Sequence, residues 1–126
     1  MASETQYKTI GDIVKSEPSG NAGRRRVTVG TGADLVIGTV VARKTSDDEF
    51  YILAPGASDG TEVAAGVILE AAAAASADVA NVLTLLCGPA IVHDGQLTWP
   101  DGITAAQKIT AKLDLIARGI NVASGV

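Results

Sequence analysis

The segment that most restricts the folds open to this chain lies near its end. Leu97-Thr98-Trp99-Pro100-Asp101-Gly102-Ile103 is followed by an amphipathic stretch and then by Gly119-Ile120-Asn121-Val122. Pro100 cannot donate to a strand ladder, so it ends the strand before it. Thr104 with Gln107 three residues on is a capping-box pattern, and Asp101 is a rival N-cap. The spacing predicts a helix to about Arg118. Its apolar side would carry Ala105, Ile109, Ala111, Leu113, Ile116 and Ala117, with Lys108, Lys112 and Asp114 at polar positions. Gly119 suits the left-handed position just past a helix end. Ile120-Asn121-Val122 can then form a last short strand.

Trp99 is the one tryptophan among 126 residues, beside two Tyr and one Phe. The core must therefore be built from Val, Ile, Leu and Ala. One domain of this size buries about two-thirds of the surface its unfolded chain exposes, and a core with so few large side chains is thin. Self-association is the expected remedy. Trp99 reads as packing rather than as a ligand site.

Upstream, the pattern is mostly β. Val27-Thr28-Val29 alternates, and Gly30 to Asp34 is a turn. Leu35 to Ala42 is a β-branched run that reads as one buried strand. Thr45 to Glu49 is an acidic turn, Phe50 to Leu53 a strand closed by Pro55-Gly56, Asp59-Gly60 a turn, and Ala65 to Leu69 a strand. Ala71 to Ala75 has strong helix propensity, yet so short an isolated helix is marginal. This stretch is expected to be a strand end, with a loop at Ser76-Ala77-Asp78. Asn81 to Cys87 and Ala90 to His93 are strands, and Asp94-Gly95 predicts a two-residue hairpin into Gln96 to Trp99.

Residues 1–26 differ from the rest. They are rich in polar residues and glycine, and their apolar side chains form a thin string of Tyr7, Ile10, Ile13 and Val14. Such a segment cannot offset its own ordering by burial. It is expected to be an arm, ordered by a partner, in front of one β-rich domain over residues 27–126. The arm carries five basic and three acidic side chains, a net +2, which leaves the body at −6 of the total −4. An acidic body is a poor nucleic-acid binder, and Arg24-Arg25-Arg26 has no interleaved aromatics. No nucleic-acid partner is expected. The first residues are polar, unlike a signal peptide, and no apolar run reaches the ~20 residues of a membrane span. A soluble chain without a membrane partner is expected.

Little here carries chemistry. Cys87 is the single cysteine, which excludes an internal disulfide, and it reads as a small buried hydrophobe in a strand. His93, the single histidine, reads as a strand residue at the hairpin edge. A Cys87–His93 thiol enzyme is the least favoured alternative, because nothing marks an orienting residue. The carboxylates are scattered through turns, where Asp bonds local backbone. Neither a phosphate loop, a dinucleotide fingerprint nor a zinc spacing is present. No catalytic residues, cofactor or metal are expected.

Several motifs in order resemble one family. Ile10-Gly11-Asp12-Ile13-Val14-Lys15 is followed by arginine before Val27-Thr28-Val29, then Gly38-Thr39-Val40-Val41. Next come Asp59-Gly60 and Ala65-Gly66-Val67-Ile68-Leu69-Glu70, and last Leu97-Thr98-Trp99-Pro100, the helix and Gly119-Ile120-Asn121-Val122. From about Tyr7 to Val122 the chain resembles the lambda-type head decoration (capsid stabilising or cement) proteins of tailed bacteriophages. It departs from them at Ala71–Ala75, where the family usually has a polar, acidic loop.

The resemblance implies a mainly β, β-clip-like fold with one C-terminal helix and an extended N-terminal arm. It implies a structural virion protein that is not an enzyme. Homotrimers would sit on the outer surface of the expanded head at three-fold and quasi-three-fold positions, after assembly in the host cytoplasm. The arm would add to strands of the major capsid protein, with Tyr7, Ile10, Ile13, Val14 and Lys15 as its contacts. Trp99 and Pro100 would pack at or near the trimer interface. A glycan-binding, host-attachment module displayed on the capsid is the alternative, disfavoured by the scarcity of aromatic residues.

Overall fold

A computed structural model describes residues 10–16 and 23–123 of the chain. A single helical turn, α1 (Ile10–Ile13), leads into β1 (Val14–Ser16). Then follow β2 (Arg24–Val29), β3 (Asp34–Leu35), β4 (Val40–Arg43), β5 (Phe50–Ile52), β6 (Gly66–Ile68), β7 (Ala72–Ala73), β8 (Val79–Leu85) and β9 (Ala90–His93). After a 3-10 turn at Asp94–Gln96 come helix α2 (Ala105–Ala117) and β10 (Ile120–Ala123). The protein is mainly β with one long C-terminal helix.

Five strands close into a barrel in the order β2-β5-β4-β6-β8, and β3 pairs with β7 beside it. A separate three-stranded sheet has the order β1-β9-β10. In it β1 runs antiparallel to β9 and β10 parallel, so that Val14 and Val122 flank Val92. The parallel pairing needs a crossover, and α2 supplies it.

Strands β4 and β6 are apolar on both faces because both faces are covered. Val40, Ala42, Val67 and Leu69 enter one core cluster with Leu115 and Ile120, whereas Val41 and Ile68 enter a second with Val29, Phe50 and Val82. Period-two geometry sends neighbouring residues to opposite sides, which explains unbroken runs such as Val40-Val41-Ala42.

Four expectations change. The run from Leu35 to Ala42 is two strands rather than one. Val36 is 52% exposed, and Gly38 turns the chain with φ +93°. A side chain at Gly38 is excluded twice, by that backbone conformation and by the Gln96 carbonyl, which a Cβ would meet at 2.7 Å. The Asp94-Gly95 hairpin does not form. His93 Nδ1 accepts from Gly95 N–H at 3.0 Å, and Leu97 N–H donates to the Asp94 carbonyl at 3.2 Å, which closes a 3-10 turn instead; the Asp94 side chain pairs with Lys112 at 2.9 Å. Thr98 then bridges to Thr39, donating to the Gly38 carbonyl at 2.9 Å. Cys87 lies past the end of β8 and is partly exposed, not a buried strand residue. The boundary expected between residues 26 and 27 falls inside β2, where Arg24 to Arg26 pair with Leu85 to Leu83.

Other local signals are met. Both halves of the Thr104–Gln107 capping box are present, and Gly119 takes φ +84° at the helix end. Ala72 and Ala73 form a short strand with bends after it, as expected for a strand end and loop.

Candidate functional site

The thin apolar string near the N terminus was expected to lie on a partner-ordered arm. Ile13 is fully buried and Val14 is 9% exposed, both within the core cluster that holds Val40, Val92 and Leu97, and Ile10 packs on its edge. The physical reason is pairing at a distance. Val14 pairs with Val92 on β9, and that carries Ile13 over Gly38, where an added Cβ would come within 3.3 Å of the Ile13 side chain. In this conformation Ile13 and Val14 are held by the body itself. Tyr7 lies outside the described residues; the backbone of Lys15 is in β1. Of the five residues expected to form one contact, the structure brings Ile10, Ile13 and Val14 together on the body's own core.

Among the described residues β1 is an edge strand, since only β9 pairs with it in the sheet. An unpaired strand edge presents free N–H and C=O groups to another chain. Trp99 is half-buried and packs on the same core cluster as Ile13, and Pro100 beside it is also half-buried. The Trp-Pro corner thus joins the core to the start of α2.

A second polar constellation was not expected. The Tyr51 hydroxyl donates to Asp47 Oδ2 at 2.7 Å, and Lys44 lies over the Tyr51 ring at 5.1 Å. Asp78 Oδ1 accepts from both the Thr31 amide and hydroxyl, at 2.9 and 2.7 Å. The Tyr51 hydroxyl, with the Glu49 amide, holds Asp47 below the usual carboxylate range. The Thr31 hydroxyl does the same for Asp78. Glu49 is pushed up, first by desolvation and then by the Asp78 charge. Tyr51 is pushed up chiefly by its bond to Asp47. These bonds fasten turns to the barrel; no nucleophile or base is poised among them. The acids stand in two turns some thirty residues apart, with Thr31 in a third, so no local spacing marks the cluster.

Among the described residues no group of three or more His, Cys, Asp and Glu side chains could hold a metal ion. No helix among them is long and apolar enough to cross a membrane. His93 Nδ1 is engaged by Gly95 N–H, and Cys87 is a free, partly exposed cysteine.

No curated protein matches the chain. The family model for bacteriophage lambda head decoration protein D matches it over residues 3–120, nearly its whole length. That span includes α1 and β1, the barrel, the Trp99-Pro100 corner and α2. The chain belongs to the bacteriophage lambda head decoration protein D family, and is a structural, non-enzymatic component of the phage head that binds the capsid.

Proposed function

We propose that this family member acts as a homotrimeric cement protein with a β-clip-type body. It binds the major capsid protein on the outer surface of the expanded head, at three-fold and quasi-three-fold positions, after assembly in the host cytoplasm. The observation that carries the contact is the edge strand β1. Strand addition at an edge takes its affinity from backbone hydrogen bonds and its selectivity from alternate side chains. Tyr7, Ile10 and Lys15 supply that contact, while Ile13 and Val14, buried in the core, fix the base of the segment to the body. The functional arm is then the part of residues 1–26 that ends at Ser16.

A cement needs no reaction. Binding to the expanded lattice and not to its precursor stabilises that lattice by mass action, about 2.7 kcal/mol per site at a hundred times the dissociation constant. Three linked arms raise the effective concentration of each other on neighbouring subunits.

The test is deletion of residues 1–9 combined with Ile10→Glu and Lys15→Glu, which removes all three contact side chains and leaves Ile13 and Val14 in the core. Occupancy on expanded heads is then read by sedimentation and gel densitometry. A large loss is expected. Undiminished occupancy by a well-folded variant would refute the assignment of capsid contact to this segment.

A further inference from the structure

Helix α2 is apolar on two opposite sides. Ala111 and Leu115 are buried against the body. On the far side Ile109 and Leu113 are each 59% exposed and Ile116 is 47% exposed. The other outward positions, Ala105, Ala106, Thr110 and Ala117, carry no charge. The charges of α2 stand at its flanks, and two of them are engaged within the chain. Lys112 pairs with Asp94 at 2.9 Å, and Asp114 Oδ2 accepts from Ala64 N–H at 3.3 Å. A helix with apolar stripes on opposite sides needs cover on both. One body covers only half of this one.

Alongside the ridge runs a groove of about 250 Å³ between α2 and the loop after β5, lined by Leu53, Pro55, Ala106, Thr110 and Ala111. Glu62 also lines it, but its carboxylate is turned to Gly60 N–H at 2.9 Å. Val63, 44% exposed, follows Glu62 in the same loop. A cavity of about 150 Å³ already accepts a benzene-sized apolar group, so the groove is roomy enough for an aliphatic side chain.

We propose that this face is where copies of the chain meet, the Ile109–Leu113–Ile116 ridge of one seating in the α2 groove of the next. The proposal rests on the homotrimer reading above and names its surface. Two observations favour a second copy over another partner. Each copy carries −4, so like bodies repel unless they meet through a face free of unengaged carboxylates. This face is one, and permanent homo-oligomer interfaces are the apolar, charge-poor kind. Ridge and groove are also different patches side by side on one chain. Contact between unlike patches is heterologous, the kind from which a closed three-fold ring is built, whereas a two-fold dimer needs one self-complementary patch.

The test is the mass of the full-length protein by light scattering after gel filtration. Wild type is expected at three times the 12.7 kDa chain. Ile109→Lys/Leu113→Lys is expected at one chain mass with unchanged far-UV circular dichroism. Should the lysines unfold the helix, Ile109→Ala/Leu113→Ala decides. Alanine favours helix, and the concentration for half-dissociation should rise at least about tenfold. A folded variant that remains trimeric at that same concentration overturns this surface and leaves the trimer reading standing. So does a trimeric variant that has lost only head binding, which would assign the face to the capsid. A wild type of one chain mass overturns both.

Discussion

Truncation of Ile13 to alanine separates a buried anchor from a free arm. The side chain is fully buried, between β9 and the turn at Gly38. Complete burial of an isoleucine contributes about 1.5–3 kcal/mol. Loss of its outer atoms also leaves a cavity, which brings Ile→Ala in cores to about 2–5 kcal/mol. Here β1 is short and at an edge, so the site can partly collapse, and about 2–3 kcal/mol is expected. For a domain between the 100- and 150-residue cases this lowers Tm by on the order of 10 °C. Urea unfolding followed by far-UV circular dichroism checks it, at one fixed protein concentration because an oligomer's apparent stability depends on concentration. Val14→Ala, which removes less from a residue 9% exposed, should cost about half as much. A change below about 0.5 kcal/mol for Ile13→Ala is the behaviour of an exposed position. It would refute the docking of residues 10–16 on β9.

Thr104→Ala removes the side-chain half of the capping box and should cost about 1 kcal/mol, read as a lower thermal midpoint. Gly38→Ala forces a Cβ onto the Gln96 carbonyl at positive φ and should cost more than about 1 kcal/mol in urea unfolding. Tyr51→Phe takes away the main cause of the lowered Asp47 pKa. The folded state then protonates nearer the ordinary value of about 3.9. The stability that Asp47 adds above that pH, and loses as pH falls through its lowered folded value, shrinks. The fall in Tm from pH 5 to pH 2 should therefore be shallower in Tyr51→Phe than in wild type. Glu49 has the opposite sign. Its folded pKa is raised, so its ionisation opposes folding, and Glu49→Gln should raise Tm at pH 7 but not below the ordinary carboxylate range.

The parts of the fold legible in the sequence are those fixed by neighbours. Thr104 and Gln107 cap a helix within four residues, and Gly119 ends it within two; each needs no knowledge of the rest of the chain. The break inside Leu35–Ala42 was hidden because Val36 and Ile37 have the composition of a buried strand. The left-handed Gly38 that divides the run looks in sequence like any strand glycine. The 3-10 turn after β9 is hidden because Asp94-Gly95 has the composition of a hairpin turn, whereas the His93 side chain and the Leu97 N–H take up the local bonds instead. The burial of Ile13 and Val14 is hidden for a different reason, a partner distant in sequence. Four thinly spaced apolar residues cannot hold themselves, but Ile13 and Val14 need only β9, more than seventy residues away, to be covered. On α2 the apolar side expected from spacing holds Ile109, Leu113 and Ile116, which stand exposed, and leaves out Leu115, which is buried. The chain takes Ala111 and Leu115 because β10 approaches that side, and the larger Ile109 and Leu113 are left outward.

The sheet β1-β9-β10 has a topological consequence. Val14 and Val122 flank Val92, two strand spacings or about 10 Å apart. Because β1 runs antiparallel and β10 parallel to β9, Ile10 and Ala123 both lie at the His93 end of the same central strand. The backbone is nearly a closed loop, and a linker of a few residues would join Ala123 to Ile10. A cargo fused after Ala123 therefore emerges on the Ile10 side of the sheet, where it would crowd the contact we propose for that segment. Cutting the chain instead in the turn between β4 and β5, with its ends joined through such a linker, would move the cargo to the barrel and leave that end of the sheet clear.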